Sequence, residues 1–147
     1  MIIKRANITD TDELFDLEKR SFSDDDWRLT KRVFRYHLKL DRFLIKAMEN
    51  DAISGYALML TRKHSARLYA ICVDPLHIRR GIGAALLEEV IVRARRLDKR
   101  RLYLEVREKN LPAIALYEKF GFVKFGKLKG YYPRGQDGIK MILELKK

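Results

Sequence analysis

At 147 residues the chain is expected to form one domain, residues 1–147, and it is long enough to bury a sizeable core. Its 47% hydrophobic content fits a globular protein, and no apolar run approaches the ~18 residues of a membrane span. With 32 Lys and Arg against 20 Asp and Glu, the net charge of +12 points to anionic partners without choosing among a cofactor phosphate, an acidic surface and RNA.

Met1–Ile8 alternates modestly and reads as a first strand. Thr9–Phe22 reads as a helix, with Thr9 or Asp10 as its cap and Leu14, Phe15 and Leu17 on its apolar side. The run Asp24-Asp25-Asp26 precedes Trp27 and reads as first-turn charge favoured by the dipole of a second helix, Arg28–Leu40. Val33, Phe34, Tyr36 and Leu40 are spaced there for one broad face. Phe43–Glu49 and Ala52–Thr61 read as strands joined by a hairpin turn at Asn50-Asp51. After a turn at Lys63–Ser65, the apolar run Leu68–Val73 makes a strand that Asp74-Pro75 ends, because proline lacks an N–H.

A helical pattern opens at Ile82, directly after Arg80-Gly81, with Leu86, Leu87, Val90, Ile91, Ala94 and Leu97 on its apolar side. Glu89 and Arg93, four apart, are placed to support it. Arg101–Arg107 reads as a strand and Asn110–Phe120 as a helix, capped by Asn110 and stopped by Gly121, with Pro112 in its first turn. Phe122–Phe125 and Lys140–Leu145 read as closing strands joined by a loop that carries Tyr131 and Tyr132. The order β-α-α-β-β-β-α-β-α-β-β implies an α/β (α+β) fold, a mixed central sheet of about seven strands with helices on both faces.

The junction at residues 73–84 carries the most chemistry. Its glycines permit a tight turn and a close approach to the backbone. The first N–H groups of the new helix lack carbonyl partners and carry partial positive charge, which Arg79 and Arg80 reinforce. Together these predict a site for a pyrophosphate. The stretch lacks the Gly-Lys-Ser/Thr of a P-loop, and Leu86 stands where a dinucleotide fingerprint needs a small residue.

Cys72 is the single cysteine, which excludes internal disulfides; in an apolar strand it reads as a buried, inert thiol. With no signal pattern at the N-terminus, a cytoplasmic protein is expected. The basic run Arg93, Arg95, Arg96, Lys99, Arg100 and Arg101 reads as a solvated helix end, and without interleaved aromatics it gives nucleic-acid contact no support. His37, His64 and His77 are scattered, with neither triad nor zinc spacing, so no metal is expected. Glu105 falls in a strand expected to be largely buried, where a carboxylate needs a cleft or a partner such as Arg107 or Lys119. Tyr117 lies on the core stripe 113, 116, 117, 120, and its hydroxyl needs a partner when buried.

Val73-Asp74-Pro75, then Arg79-Arg80-Gly81-Ile82-Gly83-Ala84, joined by Leu104–Arg107 and Asn110–Phe122, resemble the GNAT family of N-acetyltransferases. Glu18–Phe22 with Trp27, and Tyr131-Tyr132-Pro133, extend the likeness to the ribosomal-protein alanine N-acetyltransferases (RimI type) and archaeal N-terminal acetyltransferases. The chain departs from the pattern at Ile78, where the family carries Gln or Arg, and at Asp26, where a proline is common. The resemblance implies acetyl-CoA as cosubstrate and direct attack on its thioester by a protein's N-terminal α-amine, with the ribosome as a further partner. The alternatives are a lysine or small-amine acetyltransferase and a non-catalytic module that binds acetyl-CoA or RNA. It also implies that pantetheine pairs with the backbone at Ile71, Cys72 and Val73. The diphosphate would lie on the N–H groups from Arg79 and Arg80 through Gly81, Ile82, Gly83 and Ala84, with Asn110 as a further contact. Glu105 would be the base and Tyr117, beside the sulfur, the acid. Phe22, Trp27, Tyr131 and Tyr132 would meet the acceptor, Tyr132 in preference to Tyr131.

Overall fold

The computed structural model describes residues 1–22, 29–78 and 81–146. Among them, strands Ile2–Arg5 (β1), Phe43–Glu49 (β2), Ala52–Thr61 (β3), Ser65–Val73 (β4), Arg101–Arg107 (β5), Val123–Tyr132 (β6) and Gln136–Glu144 (β7) form one sheet. Its order is β1-β2-β3-β4-β5-β7-β6, antiparallel throughout except between β4 and β5. Helices Thr11–Ser21 (α1) and Lys31–Lys39 (α2) cover one face, and Ile82–Arg96 (α3) and Leu111–Lys119 (α4) the other. This is the mixed sheet, covered on both faces, that the element order implies. Among the described residues no helix is long and apolar enough to cross a membrane.

The α3 face holds the larger core. Leu86, Leu87 and Val90 are fully buried there, each contributing about 1.5–3 kcal/mol relative to exposure. Leu97 is 39% exposed because the helix ends one residue earlier, and Arg93 lies over the Phe43 ring at 5.4 Å instead of pairing with Glu89. On α2 the buried face is narrower than the hydropathy suggests. Phe34 and His37 point inward, while Tyr36, about 200° around the helix from Phe34, is exposed, as is Leu40.

Three boundaries differ from the sequence reading for local reasons. Asp10 stands at the N-cap position of α1, but its side chain makes no cap bond to that helix. Asn7 caps a turn ahead of it, its side chain accepting the Thr9 N–H at 3.0 Å while Asp10 accepts the Asn7 N–H at 2.8 Å. The 3-10 turn Ile8–Asp10 that results ends β1 early and starts α1 at Thr11. Gly130, at φ 62°, lets β6 continue past a register shift, so Tyr131 and Tyr132 stand on an irregular strand end and not in a loop. Strand β7 accordingly starts at Gln136, ahead of Lys140. The hairpin at Asn50 and Asp51 is as expected, with both residues at positive φ.

Two features of β4 create an opening in the sheet. Leu68 pairs with Met59 and Ala70 with Leu58, so Tyr69 is an extra residue without a β3 partner. The alternation of β4 therefore reverses: Ala66 and Leu68 face α3 before the bulge, and Ile71 and Val73 face it afterwards. The parallel ladder to β5 holds for Ser65, Ala66 and Arg67, paired with Arg101, Leu102 and Tyr103, and goes no further. From Leu68 onward the two strands part.

The end of β4 is fastened to α1. Arg20 Nη2 donates to Asp74 Oδ2 at 2.8 Å, and the N–H of Leu76 donates to Asp74 Oδ1 at 3.0 Å. Asp74 is 3% exposed, and the Arg20 guanidinium holds its carboxyl below the usual carboxylate range. A depressed native value means that this contribution is present at neutral pH and is lost as pH falls below about 4. Asp74→Asn should therefore be less stable at pH 7 and show a flatter acid limb in denaturant titrations between pH 7 and 3. Parallel limbs for the two proteins would refute the assignment. Gly55 marks a second close approach, since a Cβ there would stand 2.8 Å from the Cys72 carbonyl oxygen. Gly55→Ala must push β3 from β4 and should cost about 1–3 kcal/mol in urea unfolding.

Candidate active site

A cleft of about 430 Å³ lies where β4 and β5 part, walled also by the end of α1, by α4 and by the end of β6. It collects Glu105, Tyr117, Ile71, Asn110, Phe22, Tyr131 and Tyr132 from the residues singled out in the sequence. Trp27, Arg79, Arg80 and the acidic run Asp24-Asp25-Asp26 lie outside the described residues.

Glu105 sits on β5 between Leu104 and Val106, which point into the α3 core, so its carboxylate faces the α1 side. Its partner is Arg67 of β4, not Arg107 or Lys119. Only Oε1 is paired; Oε2 is buried and has no hydrogen-bond partner. Arg107 instead donates to Gln136 Oε1 at 2.6 Å and stands 4.7 Å from the Tyr132 ring centre.

Tyr117 projects from α4 and is 5% exposed, its ring edge-on to Phe122 at 5.8 Å. Burial, then the neighbouring Tyr132, push its phenol well up, so the hydroxyl stays protonated and is a donor at neutral pH. Burial, then Tyr131, push the Tyr132 phenol up to about 12. A Cβ at Gly138 would lie 2.7 Å from the Tyr132 ring, so glycine there is what lets that ring settle on β7. Asn110 caps α4, its Oδ1 accepting the Ala113 N–H at 3.3 Å.

The residues of the strand-to-helix junction lie beyond the cleft itself. The Cys72 side chain turns toward α1, and burial pushes its thiol up to about 12, which leaves it inert. Val73 faces α3. Gly81, at φ 76°, precedes α3, whose first turn carries no acidic residue and no side-chain cap. Its leading amides therefore remain available to an anion. Ile82 anchors that turn with its side chain 1% exposed, and a Cβ at Gly83 would make only ordinary contact, 3.6 Å, with Leu116 and Val73. Ala84 follows on the same turn. Among the described residues no group of three His, Cys, Asp or Glu is arranged to hold a metal ion.

Arg67, Tyr56 and Tyr69 also line the cleft and were not singled out from the sequence, and Glu18, named there only for the family likeness, lines it too. Tyr56 donates its hydroxyl to Glu18 Oε1 at 2.5 Å, and Glu18 Oε2 accepts the Leu29 N–H. Glu18 was findable: with Leu14 and Leu17 it completes an i, i+3, i+4 set on the buried side of α1. Arg67 was findable from the phase break between Ala66-Leu68 and Ile71-Val73, which signals a bulge.

The arrangement offers an unladdered strand edge for an extended ligand and free helix amides for an anion. In the same cleft stand a carboxylate oxygen able to take a proton and a phenol able to give one. The Acetyltransferase (GNAT) family profile matches residues 10–122. The [ribosomal protein bS18]-alanine N-acetyltransferase of Salmonella typhimurium is 38% identical over 109 residues, 71% of this chain and 74% of that protein. The N-alpha-acetyltransferase of Saccharolobus solfataricus is 42% identical over 83 residues, 56% of this chain and 48% of that protein. The crystal structure of the ribosomal-protein-S18-alanine N-acetyltransferase from Escherichia coli matches with a TM-score of 0.90 and 29% identity, covering 99% of this chain and 94% of that one. Profile, relatives and fold agree, and the chain belongs to the GNAT family of N-acetyltransferases.

Proposed function

We propose that this protein, acting as one domain in the cytoplasm, transfers the acetyl group of acetyl-CoA to the N-terminal α-amine of another protein. GNAT acetyltransferases use acetyl-CoA as donor, and the parted edge of β4 followed by the free amides of α3 suits an extended arm that ends in a diphosphate. On that fit Ile71, Cys72 and Val73 offer backbone to the arm. Gly81, Ile82, Gly83 and Ala84 offer amides to the diphosphate, joined on the sequence pattern by Arg79 and Arg80, and Asn110 borders the arm from α4.

The observation that carries the reading is the unpartnered Oε2 of Glu105 in the cleft that also holds the Tyr117 hydroxyl. An ammonium must lose a proton before it can attack a thioester, and Oε2 takes it. As the C–N bond forms and the C–S bond breaks, the sulfur keeps the electron pair, and Tyr117 donates its hydroxyl proton toward it. Phe22, Tyr131 and Tyr132 flank the acceptor side, with Trp27 added on the sequence pattern. The names of the bacterial relatives make the N-terminus of a ribosomal protein the first acceptor to try.

Incubation with acetyl-CoA and peptides whose N-termini are free or blocked, read by mass spectrometry, tests the acceptor. Acetylation confined to free N-termini is expected; modification of lysines in blocked peptides, or of small amines alone, overturns it. Glu105→Gln should lower kcat/KM at least about 100-fold below the amine's pKa near 8, and less above it, where the amine is already neutral. Tyr117→Phe should slow kcat about ten-fold while calorimetry shows coenzyme A still bound. Full activity in both variants would remove these residues from the mechanism.

A further inference from the structure

Beyond Glu105 the sheet carries a second cavity, of about 560 Å³. Arg67 and Glu105 wall both cavities, so the second one begins where the first presents its carboxylate. Its charged lining is Arg42, Arg62, Arg67 and Lys140 against the single carboxylate of Glu105, which is already engaged by Arg67. Among the described residues no ion pair joins Arg42, Arg62 or Lys140 to a carboxylate. The turn that carries Arg62 and the side chain of Lys140 are also held in place. Lys99 Nζ donates to the carbonyls of Arg62 and Lys63 at 2.6 and 3.2 Å, and the Arg62 N–H donates to Ser65 O at 2.8 Å, which fixes the turn that presents Arg62. Lys140 Nζ rests over the rings of Tyr103 and Phe125 at 5.1 and 5.8 Å. A recess with three uncompensated cations focuses positive potential and attracts an anion.

That anion does not belong to the acetyl donor. The amides suited to a diphosphate lie past Val73, and this cavity lies at Ser65–Arg67, six residues back along β4, or about 20 Å. Nor does the recess suit a nucleic-acid strand, which needs bare aromatic faces along a cationic track, because Lys140 covers the two nearest rings. Glu105 borders both spaces, so the recess adjoins the place where the acceptor chain would lie.

We propose that this recess binds an acidic side chain of the acceptor, so that the enzyme favours protein N-termini carrying Asp or Glu a few residues after the acetylated amine. The inference rests on the α-amine reading above, and the test separates the two. Acceptor peptides of one length carry Asp or Glu, or the isosteric Asn or Gln, singly at positions two to five. At low salt the acidic member should be preferred about ten-fold in kcat/KM at one position, through KM, and the preference should shrink toward two-fold as salt rises. The double variant Arg42→Gln/Arg62→Gln should bring the ratio below about two, and Arg62→Glu should turn the preference toward Lys peptides. A ratio near one at every position in the unmodified enzyme, with neutral peptides still acetylated, overturns the inference and leaves the α-amine reading standing. Failure to acetylate any peptide overturns both. An RNA oligonucleotide that binds the enzyme and is lost in the double variant, with the peptide ratio near one, assigns the recess to nucleic acid and likewise overturns the inference.

Discussion

Everything functional in this fold depends on two adjacent parallel strands that stop pairing after three residues. Backbone N–H and C=O groups in a sheet interior are ordinarily bound to their neighbours, and leaving them open is costly unless water or a ligand takes them. Here each strand is held on its other side. The ladder from β5 to β7 runs unbroken from Arg101 to Arg107, and β4 stays paired to β3 as far as Val73. Between them, the extra residue Tyr69 bends β4 away. The opening is therefore a fixed gap, built by competition between two intact ladders, and the cleft exists before any ligand enters.

The charged groups buried around that gap each secure an irregular segment. Burying a carboxylate is expensive unless it is paired and hydrogen-bonded. Glu18 meets that condition with Tyr56 and the Leu29 amide, joining α1, β3 and the approach to α2 on one side of the cleft. Asp74 meets it with Arg20 and the Leu76 amide, joining α1 to the turn that leads into α3. Tyr132 is placed differently, by the missing side chain of Gly138. Three unrelated devices thus hold the walls of the cleft.

Most of the elements were legible in the sequence, because α3, α4 and the β2–β3 hairpin carry strong local signals. Leu86, Leu87 and Val90 fix a helical face, Asn110 and Gly121 fix the ends of α4, and Asn50-Asp51 fixes a turn. The pyrophosphate junction and the pairing of Glu105 with Tyr117 came from motif and family resemblance, and the cleft collects the latter two. What stayed hidden was non-local. Arg67 reaches Glu105 through a strand register that leaves no residue signature of its own, and the bulge beside it shows only as the phase break between Ala66-Leu68 and Ile71-Val73. The ends of β6 and β7 were misplaced because Gly130 and Gly138 act there through close approach and positive φ, which hydropathy does not register.

The relation of Arg67 to Glu105 places a half-satisfied carboxylate beside the opened strand edge. Arg67 pairs in register with Tyr103, and Glu105 lies two residues further along the same face of β5, a diagonal separation that a long side chain spans. The guanidinium compensates a carboxylate that would otherwise be uncompensated in a largely apolar strand, but it engages one oxygen only. A bidentate pair would have satisfied both oxygens and left nothing to accept a proton. The bulge follows Arg67 directly after Leu68, so the β4 edge opens beside the carboxylate whose Oε2 has no hydrogen-bond partner.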